Sequence, residues 1–530
     1  MSLQWSWSRE VPVDMAELGQ KLFREGNLYR MLGDHFDQLL PEEEAFQGLY
    51  CETGRGALPP LLLALVTVFQ FLGKVPDRQA AEMVVSRLDW KYALHLPLTY
   101  SGFHFTDLYA FRKRLQEHQG ERLLFEQVLQ KLKDLGLLKR RGKMRTDSSH
   151  VLGVVHRLTQ LELVRESLRV ALRAARDVAP AWVEQSLPPS FCEAHAVRVS
   201  EYGMSHEEVL AQLGQAGQDG YWFLEQVAHS APEVARGLAE IAVLGTVLQQ
   251  QFPQGPSQPP SERPKGRDVI ETPHEVEARR GAKREQDWTG YKVQVTETCD
   301  DDSPHLIVDL EASGAWENDS PQLPHIQARL QAQDTLPDEQ QVDQGYMSGE
   351  NLVKSAALGI NLMGLPLNDT QGAPGFQQDA FRLDPEQRQA TCPAGEISRV
   401  WSEKESAEGA PPTILVRFPA KTCQACPFFR QCTTSPQGRS LTLHPYRAAL
   451  EARRTEAKTT AFRQRLHVRA GIEGTISELV RRHDLRHCRY RGQAKLRLQG
   501  YFTAVAVNLK RTLRWLAAPL PASFLSLSCC

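Results

Sequence analysis

Three carboxylates and four cysteines in this chain have the type and spacing that could do chemistry. Asp147 closes a short strand-like run (137–149), and Asp343 ends a second run and is followed by the turn Gln344-Gly345-Tyr346. Carboxylates at the C-terminal ends of strands in an α/β sheet lie where ligands and metals gather. Phosphodiester chemistry uses such groups, because carboxylates can bridge two hard cations, one activating the nucleophile and one stabilising the leaving oxygen. A third carboxylate comes from segment 466–482. Helical periodicity there puts Ile472, Ile476, Leu479 and Val480 on one face, Glu473 at its rim with Arg469 on the same side, and Glu478 toward water. Glu473 is therefore the candidate and Glu478 is not. Cys392, Cys423, Cys426 and Cys432 form C-x30-C-x2-C-x5-C. Four thiolates so spaced suit a tetrahedral structural Zn²⁺, with Cys423 and Cys426 as the knuckle, whereas buried free cysteines are the alternative.

The elements that must position these groups can be read from periodicity. Up to about residue 138 the chain is helical in pattern, with apolar residues at three- and four-residue spacing in 58–71, 78–88 and 105–115. The basic triplet Arg112-Lys113-Arg114 reads as a solvated helix face. After the Asp147 strand comes a long helical stretch (158–251), then a Pro- and Gly-dense linker (252–268). Strand-like alternation at 290–296 and 305–310, a helix at 321–331, a strand into Val342, a helix at 348–357 and a strand at 360–365 give a mixed α/β layout. Short β-like pieces carrying the cysteines follow (381–443), and the chain then returns to helix.

Composition narrows the function classes. The 530 residues carry a net charge of -2, which excludes a uniformly basic, histone-like binder. The charge is unevenly spread: 453–514 holds 16 Lys and Arg against 4 Asp and Glu, a local net of +12. That concentration is the footprint of a face that binds a polyanion. No run is long and apolar enough for a membrane span, and the N-terminus lacks the pattern of a signal peptide. Ten cysteines in 530 residues, only four of them grouped, suggest a reducing cytosol rather than a disulfide framework. No Walker-type phosphate loop is present, so ATP-driven chemistry is unsupported.

Several of these residues together resemble a family. Arg469-x-x-x-Glu473, Arg489-Tyr-Arg-Gly492 and Asn508-Leu-Lys-Arg511 look like the C-terminal signature of bacterial insertion-sequence DDE transposases of the IS4/IS5 kind. With the cysteine insertion, they are most similar to the IS1182 family. Asp343-Gln-Gly-Tyr346, Asp147 in Arg-Thr-Asp-Ser-Ser and Trp288-Thr-Gly-Tyr-Lys292 resemble that family's other motifs. Leu466 and Val480 stand where the family usually has Tyr and Lys.

The resemblance implies an α/β fold with an RNase H-like core, an all-helical N-terminal domain for DNA binding or dimerisation, a helical insertion and a small Cys-rich zinc insertion. The expected division is 1–138 helical domain, 139–157 first core strand, 158–268 helical insertion and linker, 269–375 core, 376–443 cysteine insertion, 444–516 basic helices and 517–530 tail. Asp147, Asp343 and Glu473 would hold two Mg²⁺, with Mn²⁺ able to substitute. Arg469, Arg481, Arg482, Arg489, Arg491 and Lys495 would contact DNA. Expected partners are element ends and target DNA, bound by a homodimer away from any membrane, in a bacterial cytoplasm and on the nucleoid. The rivals are a domesticated DNA-binding protein that has lost cleavage, and a nuclease of the same fold that cuts without joining.

Overall fold

The computed structural model describes residues 2–3, 7–155, 157–198, 200–255, 263–264, 266–283, 286–367, 371–404 and 412–518. The linker expected at 252–268 and the tail expected at 517–530 lie partly outside the described residues. Six strands form one mixed sheet: β1 (Lys143–Leu152), β2 (Arg279–Lys283), β3 (Gln286–Thr298), β4 (Ile307–Gly314), β5 (Glu339–Val342) and β6 (Asn361–Met363). β1 pairs antiparallel with β3, and β3 pairs antiparallel with β4 and, at its start, with β2. On its other edge β1 pairs parallel with β5, which pairs parallel with β6. The path β4–β3–β1–β5–β6 thus joins an antiparallel meander to two parallel strands. Gly290, in the Trp-Thr-Gly-Tyr-Lys motif, sits where β3 crosses the end of β1. Its φ is +153°, and a Cβ there would lie 2.2 Å from the Val151 carbonyl oxygen, so only glycine lets the two backbones approach.

The N-terminal helices do not stand apart from this sheet. Helix Pro60–Gly73 opens on a proline and is buried on all sides from Pro60 to Phe71, as an apolar helix with no polar stripe must be. It packs against the last helix, Gln493–Ala517, which in turn covers β4, so the three share one apolar core. Residues 160–251 instead build a core of their own. The single helical stretch expected at 158–251 is broken, because Pro180 and Pro189 open new helices and Pro232 precedes another. Helices Gln160–Val178 and His206–Ser230 each start on a capping box, Thr159 with Glu162 and Ser205 with Glu208. The cysteine segment has a two-stranded and a three-stranded sheet around Phe381, Val416, Phe418 and Leu441. No single helix among the described residues is long and apolar enough to cross a membrane.

The basic triplet departs from a solvated face. Lys113 is exposed, but the Arg112 side chain is buried and donates to Asp77 at 2.5 Å, with its guanidinium 5.1 Å from the Tyr490 ring. Beside it, Arg489 donates to the Val75 carbonyl at 2.5 Å and covers the Phe71 ring at 5.6 Å. The Arg489-Tyr490 pair therefore docks the C-terminal segment on the N-terminal helices. Arg112→Leu should lower stability by about 2 kcal/mol, the worth of a charge-assisted hydrogen bond, because Asp77 keeps Gln70 at 2.7 Å and Arg489 at 3.9 Å. Urea unfolding checks this, and a loss under about 0.5 kcal/mol would mean a surface-type pair.

Candidate active site

The parallel pairing of β1 and β5 brings two carboxylates together. Their register runs from Lys143 opposite Glu339 to Thr146 opposite Val342, and the next residue on each strand is the aspartate. Neighbouring strands lie about 4.8 Å apart, so Asp147 and Asp343 emerge side by side. Asp147 does not end its strand as expected, because β1 continues to Leu152 against β3. What ends at Asp147 is the parallel pairing, and the sheet opens there. Asp343 caps the 3-10 turn Gln344–Tyr346, and the buried Tyr346 hydroxyl donates to Gln294 beneath the pair.

Glu473 comes from helix Gly471–Ser477, on the far side of Arg469 from the two aspartates. Arg469 Nη1 lies 3.3 Å from Asp147 Oδ2 and 3.9 Å from Asp343 Oδ1, and its Nη2 lies 3.9 Å from Glu473 Oε1. All three candidate carboxylates thus share one guanidinium. Burial pushes the Asp147 carboxyl up to about 6. The Ser148 N–H opposes that shift, Asp343 adds to it, and Arg469 and Lys283 oppose it. His150, three residues along β1, is driven down to about 4 by burial and by Arg486 and Lys283, and stays neutral near pH 7. Among the described residues, no three His, Cys, Asp or Glu side chains are gathered closely enough to hold a metal ion. At the carboxylates the reason is plain: they meet around the Arg469 guanidinium rather than around one point.

Glu478 departs from the expected water-facing position. Its side chain is half-buried and ion-paired to Lys510 and, at 2.9 Å, to Arg511. The cause is a displaced buried face: Thr475, with Ile472 and Leu479, is buried while Ile476 and Val480 are only half-buried, so the face turns toward Glu478 and away from Glu473. Ile472 and Leu479 are fully buried as read, and Glu473 is exposed.

The expected DNA contacts divide into three kinds. Arg481, Arg482, Arg491 and Lys495 are exposed. Arg469 is turned into the carboxylates. Arg489 is committed to Val75 and Phe71 on the N-terminal helices and is a docking residue, which corrects its place among the free cations.

Cys392, Cys423, Cys426 and Cys432 line one cavity of about 30 Å³, together with Phe418, Phe428 and Arg439. Cys423 Sγ accepts the Arg439 backbone N–H at 3.5 Å. The spacing brings the four thiols to one place, but it does not close them into a metal-holding group.

Sequence reasoning marked Arg145 and Arg511 only as members of motifs, with no role, and did not mark Glu297 at all; together they lie beneath the site as a buried charged group. Arg145 was legible as a neighbour of Asp147 on the same face of β1, two residues away. Glu297 was not, because its partner depends on the β1–β3 register.

Comparison with known proteins adds two findings. Residues 391–513 match the transposase DDE domain family, and residues 17–114 match a transposase domain family, DUF772. The first match includes the four cysteines, Arg469, Glu473 and the basic segment, while Asp147 and Asp343 lie outside both. No curated protein and no solved structure matches the chain. The two family matches indicate an insertion-sequence DDE transposase of the IS1182-like type, a family of enzymes that act on DNA with divalent metal.

Proposed function

We propose that this transposase cleaves phosphodiester bonds at the ends of its element and joins the freed strands to target DNA, with Asp147, Asp343 and Glu473 as the metal-binding triad. The observation that carries the reading is the meeting of the three carboxylates around Arg469. The strand order β4–β3–β1–β5–β6, an antiparallel meander followed by two parallel strands, supports an RNase H-like core.

The donor set fits a hard divalent cation. It offers carboxylate oxygens only, and burial, with a smaller contribution from Asp343, holds Asp147 at about 6 despite its arginine neighbour. Two Mg²⁺ held by the triad would activate an attacking water or 3′-hydroxyl and stabilise the leaving oxygen. The chain's own residues do the positioning. β1 and β5 fix the two aspartates, and the Gly471–Ser477 helix brings Glu473 to them. Arg469 neutralises the carboxylates while they stand alone. The exposed Arg481, Arg482, Arg491 and Lys495 would hold phosphates electrostatically.

The cysteine cavity would hold structural Zn²⁺, with Cys392, Cys423, Cys426 and Cys432 as ligands drawn inward on binding. Four thiols around a space large enough for one ion support this.

Three experiments test these readings. Asp147→Ala, Asp343→Ala and Glu473→Ala should each abolish Mg²⁺-dependent cutting of labelled element ends while DNA binding persists, because the basic residues are untouched. Cleavage surviving in any one removes that residue from the triad. In the same assay, binding alone, cutting alone, and cutting with joining separate the transposase from its two rivals. Each phosphate neutralised contributes roughly 0.9 to the slope of log K against log salt, so Arg491→Ala with Lys495→Ala should flatten it by up to about two. An unchanged slope would make these side chains a solvated face. Metal analysis of protein purified without chelators should find about one Zn²⁺ per chain, lost in Cys426→Ser. Zinc-free wild-type protein would refute the cysteine reading.

A further inference from the structure

Glu473 is exposed and sits on a short helix, so something other than its own packing must fix it. The groups beneath it form a continuous chain of charge-assisted contacts. Arg145 stands directly opposite Glu297 across β1 and β3, and its Nε donates to Glu297 Oε1 at 2.7 Å. Glu297 is fully buried, and its second oxygen accepts from Thr475 Oγ1 at 2.6 Å and from Arg511 Nη1 at 2.9 Å. Arg511 Nη2 donates back to Thr475 Oγ1 at 2.8 Å and to Glu478 Oε2 at 2.9 Å. From the other end, Arg145 Nη1 donates to the Val468 carbonyl at 2.8 Å. The network therefore grips the chain at Val468, before Arg469, and again at Thr475, two residues past Glu473.

Two further features fit a clamp. Gly471 lies against the Arg145 guanidinium, where a Cβ would come within 1.9 Å of Nη1. That guanidinium cannot swing aside without leaving Glu297 and Val468. Asn508, in the Asn-Leu-Lys-Arg motif, pairs with both the N–H and the carbonyl of Ile307 at 2.8 Å, which fixes the last helix and with it Arg511 against β4.

We infer that Arg145, Glu297, Thr475 and Arg511 are positioning residues for Glu473, locking its helix to the strand that carries Asp147 so that the third carboxylate meets the other two. The inference rests on the reading of Glu473 as a metal ligand. A buried carboxylate shared by two arginines and a hydroxyl tolerates few arrangements, because losing an arginine leaves buried charge uncompensated and losing the hydroxyl leaves a carboxylate oxygen short of a hydrogen bond. The helix is thereby held in one place.

The test is Mn²⁺ binding to the full chain without DNA, followed by electron paramagnetic resonance. Thr475→Val keeps the shape and removes the hydroxyl, and it should weaken binding at least threefold, whereas Thr475→Ser should bind like the wild type. Gly471→Ala should also weaken binding, although alanine is the better helix former. This variant carries the test if Thr475→Val does not fold. In a Glu473→Gln background neither change should weaken binding further, since both act through the lost ligand. Wild-type affinity in Thr475→Val and Gly471→Ala, with Glu473→Gln weakened, would overturn the inference. So would an equal loss in both backgrounds. Wild-type affinity in Glu473→Gln itself would instead remove Glu473 from the triad, and the inference with it.

Discussion

When two parallel strands each place an aspartate just beyond their last paired residue, the two negative charges are forced to within a strand spacing of each other. Such a pair is costly unless a cation is close by, and the cost grows with burial. In this chain the pair is Asp147 and Asp343, and the cation at hand is Arg469. Burial and the neighbouring carboxylate hold Asp147 well above the ordinary aspartate range even with that guanidinium in place. The site thus combines a demand for positive charge with an oxygen-only donor set, the condition under which divalent metal binds well.

The rest of the fold serves to keep that register and to bring the third carboxylate to it. The β1–β3 pairing sets Arg145 opposite Glu297, and the last helix adds Arg511. That same helix packs on Pro60–Gly73, and Arg489 and Tyr490 dock on the neighbouring N-terminal residues, so the basic C-terminal segment and the N-terminal helices share one packed core with the sheet. The helices of 160–251, between β1 and β2, and the cysteine segment, between β6 and the Glu473 helix, have their own cores and leave the register of the sheet undisturbed.

Much of this was legible in sequence where the signal is local. The order of strands and helices from β3 to β6 follows from periodicity and turns, and helix Pro60–Gly73 falls in the run 58–71 whose apolar spacing marks a helix. Both aspartates stand where strand-like runs end their parallel pairing, while Glu473, read at the rim of a buried face, is the more exposed of the two helix glutamates. What was not legible depends on pairing across distance or on the burial of a polar residue. Arg489 and Arg112 look like free cations until the N- and C-terminal segments are brought together. Glu478 was misplaced because the buried face runs through Thr475, a polar residue that apolar spacing does not mark, rather than through Val480. The buried group around Glu297 needs the β1–β3 register, which no single strand reveals. The cysteine spacing announced a shared site without fixing how closely the thiols approach.

The most direct test of the account is anomalous scattering at the manganese edge from crystals of the full chain soaked in Mn²⁺. Manganese is expected between Asp147 and Asp343 with Glu473 as a further ligand, and the Arg469 guanidinium displaced from the position it holds among the three carboxylates. Manganese bound elsewhere, or Arg469 unmoved with no metal at the two aspartates, would contradict it.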